Sequence, residues 1–547
     1  MNLIKKLTSY NGSYWFCMVI FFLIMISPLV CEIFEVDMYF ILPEGKYILQ
    51  TGVLPDTNRF IVDDSQLIIH QWLYAVLCAL FFYSFNESSV TLYFLIVLQI
   101  ALLLFIMYKY CRLYFKNTHF ELCVYAVFFL SPYFHSIRPE LITIIIMLLE
   151  IYCFEKYKIT GKSKWLFILP LVIILMVNFH AVMWPIIYAI LLAYMVPSVL
   201  PKVYNSDNIK LNVPFGISIL LSFVCIGLNP YGYDVIPLVI KAMRISSLFH
   251  NYVNELKPFL FCIVNITQKE CAGIGVTYIA LITLSVILII ICFVKRVKLN
   301  SSTLYLYCGF TLMLFMNIRN SMFFVVGLAL LLCSIIRLLE ANSFLDNVRN
   351  NFTIVFKEKW LNRLLCVCVC IFGMFIIIFN IFWFIILYNS KFEDMYVPTN
   401  MTTDVIDFLD DSSSDGADGT IFSWFNYYSY LEYHGFDNLY MDVRMEYLDD
   451  DAYNRAFNYL ELVLAEDLND IELIGYDSVD DFIEHYDFSY FILTEGMAPG
   501  LIEYLDSHPD KYECVCFNNP EADVLDDDTI SDEGLYLECI VYKRIKN

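Results

Sequence analysis

Uncharged apolar runs of about 15–25 residues recur from Tyr14 to Leu387 and then cease. A helix needs about 20 such residues to cross a hydrocarbon core of ~30 Å, so the pattern predicts a polytopic membrane bundle. Lys5 and Lys6 precede the first run, and no small-x-small cleavage site follows it. That run therefore reads as a retained anchor with the N-terminus in the cytoplasm. The predicted spans are 14–33, 90–111, 120–136, 139–155, 165–178, 181–200, 213–229, 273–294, 302–317, 321–338 and 364–388.

The run 67–85 decides the topology. Treated as a span, it sends Lys109, Arg112 and Lys116 outside and flips every later basic loop. Treated as a helix lying along the outer interface, it brings the chain into register with the rule that basic loops stay inside. Lys156, Lys158, Lys162 and Lys164 then fall inside, with Lys202, Lys210, Lys295, Arg296, Lys298, Arg337, Arg349, Lys357, Lys359 and Arg363. The reading is about eleven spans plus one interfacial helix, with a first outer loop at 34–66.

Beyond residue 388 the pattern changes. Strand-like runs at Thr420–Ser423, Leu439–Val443, Tyr490–Thr494, Tyr512–Phe517 and Tyr536–Tyr542 alternate with helical patterns such as Asp451–Leu464. That order predicts a small α/β domain. The stretch Asp410–Asp418, rich in Asp and Ser, reads as a surface loop. The fold class expected is a mainly α membrane bundle over 1–388 with a soluble α/β domain over 389–547.

Charge sharpens this boundary. Of 57 acidic residues, 38 follow Asn389, against seven Lys or Arg there, while the remainder is mildly basic. Such a tail repels nucleic acid phosphates, which excludes that class of partner. The orientation places it outside the cytoplasm. The 18 Cys are scattered with no zinc spacing and no disulfide framework.

Unusual polar groups collect at the predicted outer ends of the spans. The first loop holds Glu32, Glu35, Asp37, Asp56, Asp63 and Asp64 and closes on His70, Gln71 and Trp72. Arg138-Pro139-Glu140, Asn178-Phe179-His180, Asn229–Gly232, Glu255 and Arg319-Asn320 follow at later turns. Charged groups beside apolar spans pair, face a cavity or do chemistry. A carboxylate there serves as a general base, and Arg with His holds a phosphate. Together with a greasy portal, this suits group transfer from a lipid-phosphate carrier.

At these residues the chain resembles the multi-pass membrane glycosyltransferases of the C superfamily, especially their poorly characterised prokaryotic members. The shared islands are Asp37 soon after the first span, Gly45, Ile48, Leu49 and Gly52, Pro55-Asp56, and His70-x-Trp72-Leu73. Arg138-Pro139, Asn178-x-His180, Asn229–Gly232, Glu255 and Arg319-Asn320 continue the series, and Asn426–Leu431 and Asp442-x-Arg444 match in the tail. Met38, Tyr39 and Ala181 depart from the pattern, where tryptophans and a glycine are common. The resemblance implies inverting transfer of a sugar from a polyprenyl-phosphate carrier to an acceptor outside the cytoplasm. Asp37 would be the base, and Arg138, His180 and Arg319 would bind the carrier phosphate. Glu35, Asp56, His70, Trp72, Glu140, Asn178 and Glu255 would support them. Some members use a divalent metal, for which Asp37 with Glu35, Asp56 or Asp63 offers oxygen ligands.

Plainer readings stand beside these. Asp56 caps a turn, Trp72 anchors at the interface, Asn229–Gly232 ends a helix, and His70 and Glu255 serve structure. Asp442 and Arg444 form an ion pair within the tail. The rival function is a lipid-linked sugar transporter or a cell-envelope assembly factor. A transporter would carry polar groups at mid-membrane depth in broken helices, whereas these charges sit at outer span ends.

Overall fold

The computed structural model describes residues 10–27, 35–63, 65–114, 121–130, 134, 136–199, 209–265, 269–294, 299–341, 359–390, 392, 403–413, 419–494, 496–517 and 539–545. Glu32, Asp64, Lys116, Lys202, Lys295, Arg296, Lys298, Arg349 and Lys357 lie outside the described residues. The chain divides into two compact units. One comprises Met1–Ile33, Ser88–Tyr233 and His250–Asn389; the other Phe34–Glu87, Asp234–Phe249 and Ser390–Asn547.

The first unit is helical. Among the described residues five helices are long and apolar enough to cross a membrane: Ser89–Tyr114, Ala181–Val199, Gly273–Val294, Ile318–Leu338 and Ile371–Asn389. Shorter apolar helices at Glu121–Leu130, Ser163–Phe179, Val213–Ile226 and Ser301–Met316 occupy other expected spans. Within the expected span 120–136, Glu121–Ala126 passes into a 3-10 turn at Val127–Leu130. Ile318–Leu338 is the most buried of the five long helices and Gly273–Val294 the least. The latter exposes Leu284, Ile287, Ile290, Ile291 and Phe293. A face of that composition is stable against lipid chains, which are as apolar as leucine. Buried Glu155 accepts hydrogen bonds from Tyr194 (2.9 Å), Lys158 (3.1 Å) and Asn300 (3.1 Å), and from Tyr114.

The second unit joins Phe34–Glu87 to the tail. The polar stretch expected at 34–66 contains a helix, Met38–Thr51, hidden in sequence by Pro43, Glu44, Gly45 and Lys46 at its centre. Gly45 explains its partner. A Cβ there would lie 2.1 Å from the Ala75 carbonyl oxygen, so glycine lets this helix close on Trp72–Ser84. Gly52 ends the helix in the left-handed region at φ +70°. Trp72–Ser84 has 13 residues, which span about 20 Å and fall short of a bilayer.

The tail forms a four-stranded sheet, β1 (Thr420–Ser423), β2 (Phe488–Thr494), β3 (Tyr512–Phe517) and β4 (Cys539–Arg544), in the order β1-β2-β4-β3. β1 and β2 run parallel, which requires a long crossover. The chain supplies it with helices Tyr428–Tyr433, Asp451–Leu464 and Val479–Tyr486. Phe422 anchors the core against Tyr440, Tyr459, Phe488 and Phe491, with ring centroids 5.4–5.7 Å away. Two expectations are corrected here. Leu439–Val443 is no strand: Leu439 makes only isolated bridges, to Ile61 and Ile421. Asp410 belongs to a helix, Thr403–Ser413, whose apolar side buries Val405, Ile406 and Leu409; 414–418 lie outside the described residues.

Arg444 ties loop and tail together. Its guanidinium pairs with Glu44 and Asp442, and lies 3.1 Å from Glu432 and 3.2 Å from the Asn58 amide oxygen. Asn58 in turn donates to Asp442 (2.6 Å) and Tyr447 (2.6 Å). The expected Asp442–Arg444 pair is thus one edge of a buried cluster of three carboxyls around one cation. Burial pushes the Glu44 carboxyl up to about 7, against the pull of Arg444, and burial raises Glu432 too. The native state holds the Glu44 proton to higher pH than the unfolded chain does. Stability therefore falls as pH rises from about 4.5 to 7, by about 3 kcal/mol. Thermal unfolding of the full chain at pH 5 and pH 8 should show this loss, and Glu44→Gln should flatten it. An unchanged slope in Glu44→Gln would place the effect elsewhere.

Candidate functional site

In the first unit three helix starts and one loop converge. Pro139 occupies the first turn of Pro139–Thr160, where its missing N–H costs nothing, and Arg138 precedes it in extended conformation (φ −124°, ψ 155°). Glu140 follows in the first turn, fully buried. His180 ends Ile168–Phe179 and begins the next helical segment. Arg319 lies in the 3-10 turn Ile318–Asn320, capped by the Asn317 side chain, which accepts from the Asn320 N–H. Glu255 lies in the 3-10 turn Asn254–Leu256, and the Ile318 N–H donates to the Lys257 carbonyl at 3.0 Å, pinning that loop to the Arg319 turn.

These residues form one charged chain. Glu255 bridges both arginines: Oε2 accepts from Arg138 Nη1 at 3.0 Å and Oε1 from Arg319 Nη1 at 3.1 Å. Arg319 reaches Glu140 as well, through Nε at 3.1 Å and through Nη2. His180 Nδ1 lies 2.8 Å from the Thr143 hydroxyl, one turn after Glu140 on the same helix. Burial would raise the Glu255 carboxyl, but Arg319 and then Arg138 outweigh it and hold it below the usual carboxylate range. Side-chain exposure grades across the set, from 1% at Glu140 to 24% at Glu255 and 30% at Arg319. The open side therefore carries Glu255 and Arg319, and the closed side Glu140.

Asn178 has a structural part. Its amide donates to the Ile174 carbonyl at 2.7 Å and to Leu228 at 3.4 Å, while Asn229 donates to Val177 and accepts from Tyr231 N–H at 2.9 Å. The Asn229–Gly232 segment is accordingly a turn that locks two helix ends, with Gly232 at φ +62°.

The remaining candidates belong to the second unit. Asp37 is half-buried and directly precedes Met38–Thr51; its carbonyl accepts from Ile41 N–H at 3.0 Å. Glu35 is buried, and its carbonyl accepts from Met38 N–H at 3.0 Å. Asp56 is exposed in a turn whose carbonyl accepts from Leu67 N–H at 3.2 Å. His70 is buried with Nδ1 3.6 Å from Glu446, and Trp72 is half-buried at the start of its helix. Asp63 pairs with Arg455 at 2.6 Å. Among the described residues no three His, Cys, Asp or Glu side chains gather to hold a metal ion. Asp63 is taken by Arg455 and Asp56 is exposed in its own turn, so the acids nominated for a divalent cation gather no such group among the described residues. An open acidic cleft of about 930 Å³ in the tail, lined by Asp467, Glu472, Asp477, Asp480 and Glu503, includes none of the predicted site residues.

Sequence reasoning named Arg138, Glu140, His180 and Arg319 and weighted Glu255 toward structure; it missed that Glu255 joins the two arginines. Thr143 was also missed. Its only signal was its place three residues beyond Glu140, on the same helical face.

No protein-family model matches the chain, and no curated protein does. Solved structures do. The Archaeoglobus fulgidus oligosaccharyltransferase AglB, in complex with an inhibitory peptide and a dolichol-phosphate, aligns at a TM-score of 0.56 and 12% identity, covering 89% of this chain and 70% of its own. The same organism's enzyme tethered to an acceptor peptide containing the NVT sequon aligns at 0.55 and 13% identity, covering 89% and 69%. Its apo form aligns at 0.51 and 12%, covering 88% and 70%. This chain is a membrane protein, with five apolar helices of spanning length among its described residues, and it shares the fold of the archaeal oligosaccharyltransferase AglB.

Proposed function

We propose that this protein transfers a sugar from a polyprenyl-phosphate carrier to an acceptor on the outer side of the membrane, with inversion. The observation that carries the reading is the pair Arg138 and Arg319, held on the two oxygens of one carboxylate. Two guanidinium groups so spaced suit the non-bridging oxygens of a phosphate, and such charge-assisted bonds are the strong ones. The fold neighbour in complex with dolichol-phosphate supports the lipid half of the reading. In the reaction the bond from the sugar's anomeric carbon to the phosphate oxygen breaks. The acceptor oxygen bonds to that carbon from the opposite face and gives its proton to Asp37. Charge builds on the departing polyprenyl phosphate, where Arg138, Arg319 and His180 stabilise it; preorganised donors aimed at developing charge are the largest catalytic contribution in many enzymes.

Arg138→Ala and Arg319→Ala should each weaken binding of a polyprenyl monophosphate by about 1.5–3 kcal/mol, the worth of a charged hydrogen bond. Titration of purified full-length protein with that lipid measures this. Wild-type affinity in both variants would remove the assigned role. A second assay supplies a polyprenyl-phosphate sugar and follows release of polyprenyl phosphate. No release with any acceptor, from a protein that binds the lipid, would favour a carrier over an enzyme.

A further inference from the structure

We propose that Glu255 is a displaceable counter-anion, its carboxylate holding the seat between Arg138 and Arg319 that the donor phosphate takes. The inference rests on the reading above, in which these arginines bind phosphate, and adds how the seat is kept before the donor arrives. Three observations on this unit carry it.

The first is geometry. Glu255 gives one oxygen to each arginine, at 3.0 and 3.1 Å, which is how two non-bridging phosphate oxygens would engage the same pair. A single carboxylate and a phosphodiester carry the same charge and a similar spread of acceptor oxygens. Replacing one by the other leaves every guanidinium bond satisfied.

The second is the difference between the two acids. Glu140 holds Arg319 from a side chain 1% exposed, in the first turn of a long helix. Glu255 holds it from a side chain 24% exposed, on a three-residue 3-10 turn. Glu140 is the fixed partner and Glu255 the one that solvent and ligand reach.

The third is charge balance. Arg138 and Arg319 against Glu140 and Glu255 sum to zero, so these four ion-paired groups are neutral as a set, with His180 acting on Glu140 beside them. With Glu255 withdrawn, one positive charge remains, which one phosphodiester neutralises. A diphosphate-linked donor would leave an excess negative charge in a partly desolvated place, where imbalance is costly. The geometry thus points to a sugar linked through a single phosphate.

The test is binding of a polyprenyl monophosphate sugar, a phosphodiester, and separately of a polyprenyl diphosphate sugar, to the purified full chain. Glu255→Gln keeps the shape and removes the competing charge. Its affinity for the monophosphate should rise about tenfold, the difference between a charged and a neutral hydrogen-bond partner. Glu255→Asp, too short to bridge both arginines, should show a smaller gain. The phenylglyoxal modification rate of Arg138 and Arg319 should rise in Glu255→Gln and fall on adding lipid. Unchanged or weaker binding in both Glu255 variants would overturn the proposal, and would make Glu255 a residue that positions the arginines. Equal wild-type affinity for mono- and diphosphate would overturn its charge argument. If Arg138→Ala and Arg319→Ala bind as wild type does, the proposed function itself fails, a result distinct from failure at Glu255 alone.

Discussion

Arg444→Met is expected to cost about 3–5 kcal/mol, the penalty of removing one partner from a buried ion pair. The substitution keeps much of the side chain's bulk and removes the cation. Glu44, Asp442 and Glu432, all buried, would then face one another without their direct ion-pair partner, with Arg59 acting on Glu44 and Glu432 only through space, and the Asn58 amide oxygen would lose a donor. The damage should be local. Glu44 and Asn58 sit in the Phe34–Glu87 segment, and Asp442 and Glu432 in the tail, so loosening should appear in 35–87 and 428–447 together. Limited proteolysis and hydrogen exchange of the full chain read this directly. Adding Glu44→Gln and Glu432→Gln to Arg444→Met should recover part of the loss, because neutral amides need no cation. Stability within about 1 kcal/mol of wild type for Arg444→Met would mean that the cluster contributes little, as some buried ion pairs do.

That cluster also marks the limit of what the chain discloses in one dimension. Helix starts at Pro139 and strand runs such as Tyr512–Phe517 are local facts of spacing and residue type, and they were legible. So was the chemistry of Arg138 and Arg319, since guanidinium groups beside apolar runs are costly and need a reason. Their mutual arrangement was not. Glu255 lies 117 positions from Arg138 and 64 from Arg319, and no periodic pattern spans such distances. Glu44 meets Arg444 across 400 positions. Leu439 read as strand because its neighbours are apolar, yet it makes only isolated bridges, one to Ile421 and one to Ile61, in a loop far along the chain. The helix Met38–Thr51 was obscured for the opposite reason: Pro43, Glu44 and Lys46 look like loop residues, and only the seat of Gly45 against Ala75 shows why a helix pays there. Asp410 was drawn into a loop by its Asp-Ser company, while Val405, Ile406 and Leu409 set a helical face.

Asp37→Asn separates chemistry from binding. If Asp37 takes the acceptor proton, the amide cannot, and turnover should fall about 10²–10⁴-fold, the usual worth of a positioned general base. The fold should tolerate the change. Asparagine has nearly the shape of aspartate and caps helices as well as it does, and Asp37 precedes Met38–Thr51 at φ −59° and ψ −24°, a backbone open to either residue. Melting temperature and affinity for polyprenyl monophosphate should therefore stay at wild-type values, because a loss confined to turnover marks an interaction made only in the transition state. Arg138→Ala should do the reverse in part, losing lipid affinity along with turnover. Measured side by side on the full chain, the two variants assign the roles independently. Wild-type turnover in Asp37→Asn would require another base. Loss of lipid affinity in that variant would instead move Asp37 from proton transfer to holding the donor.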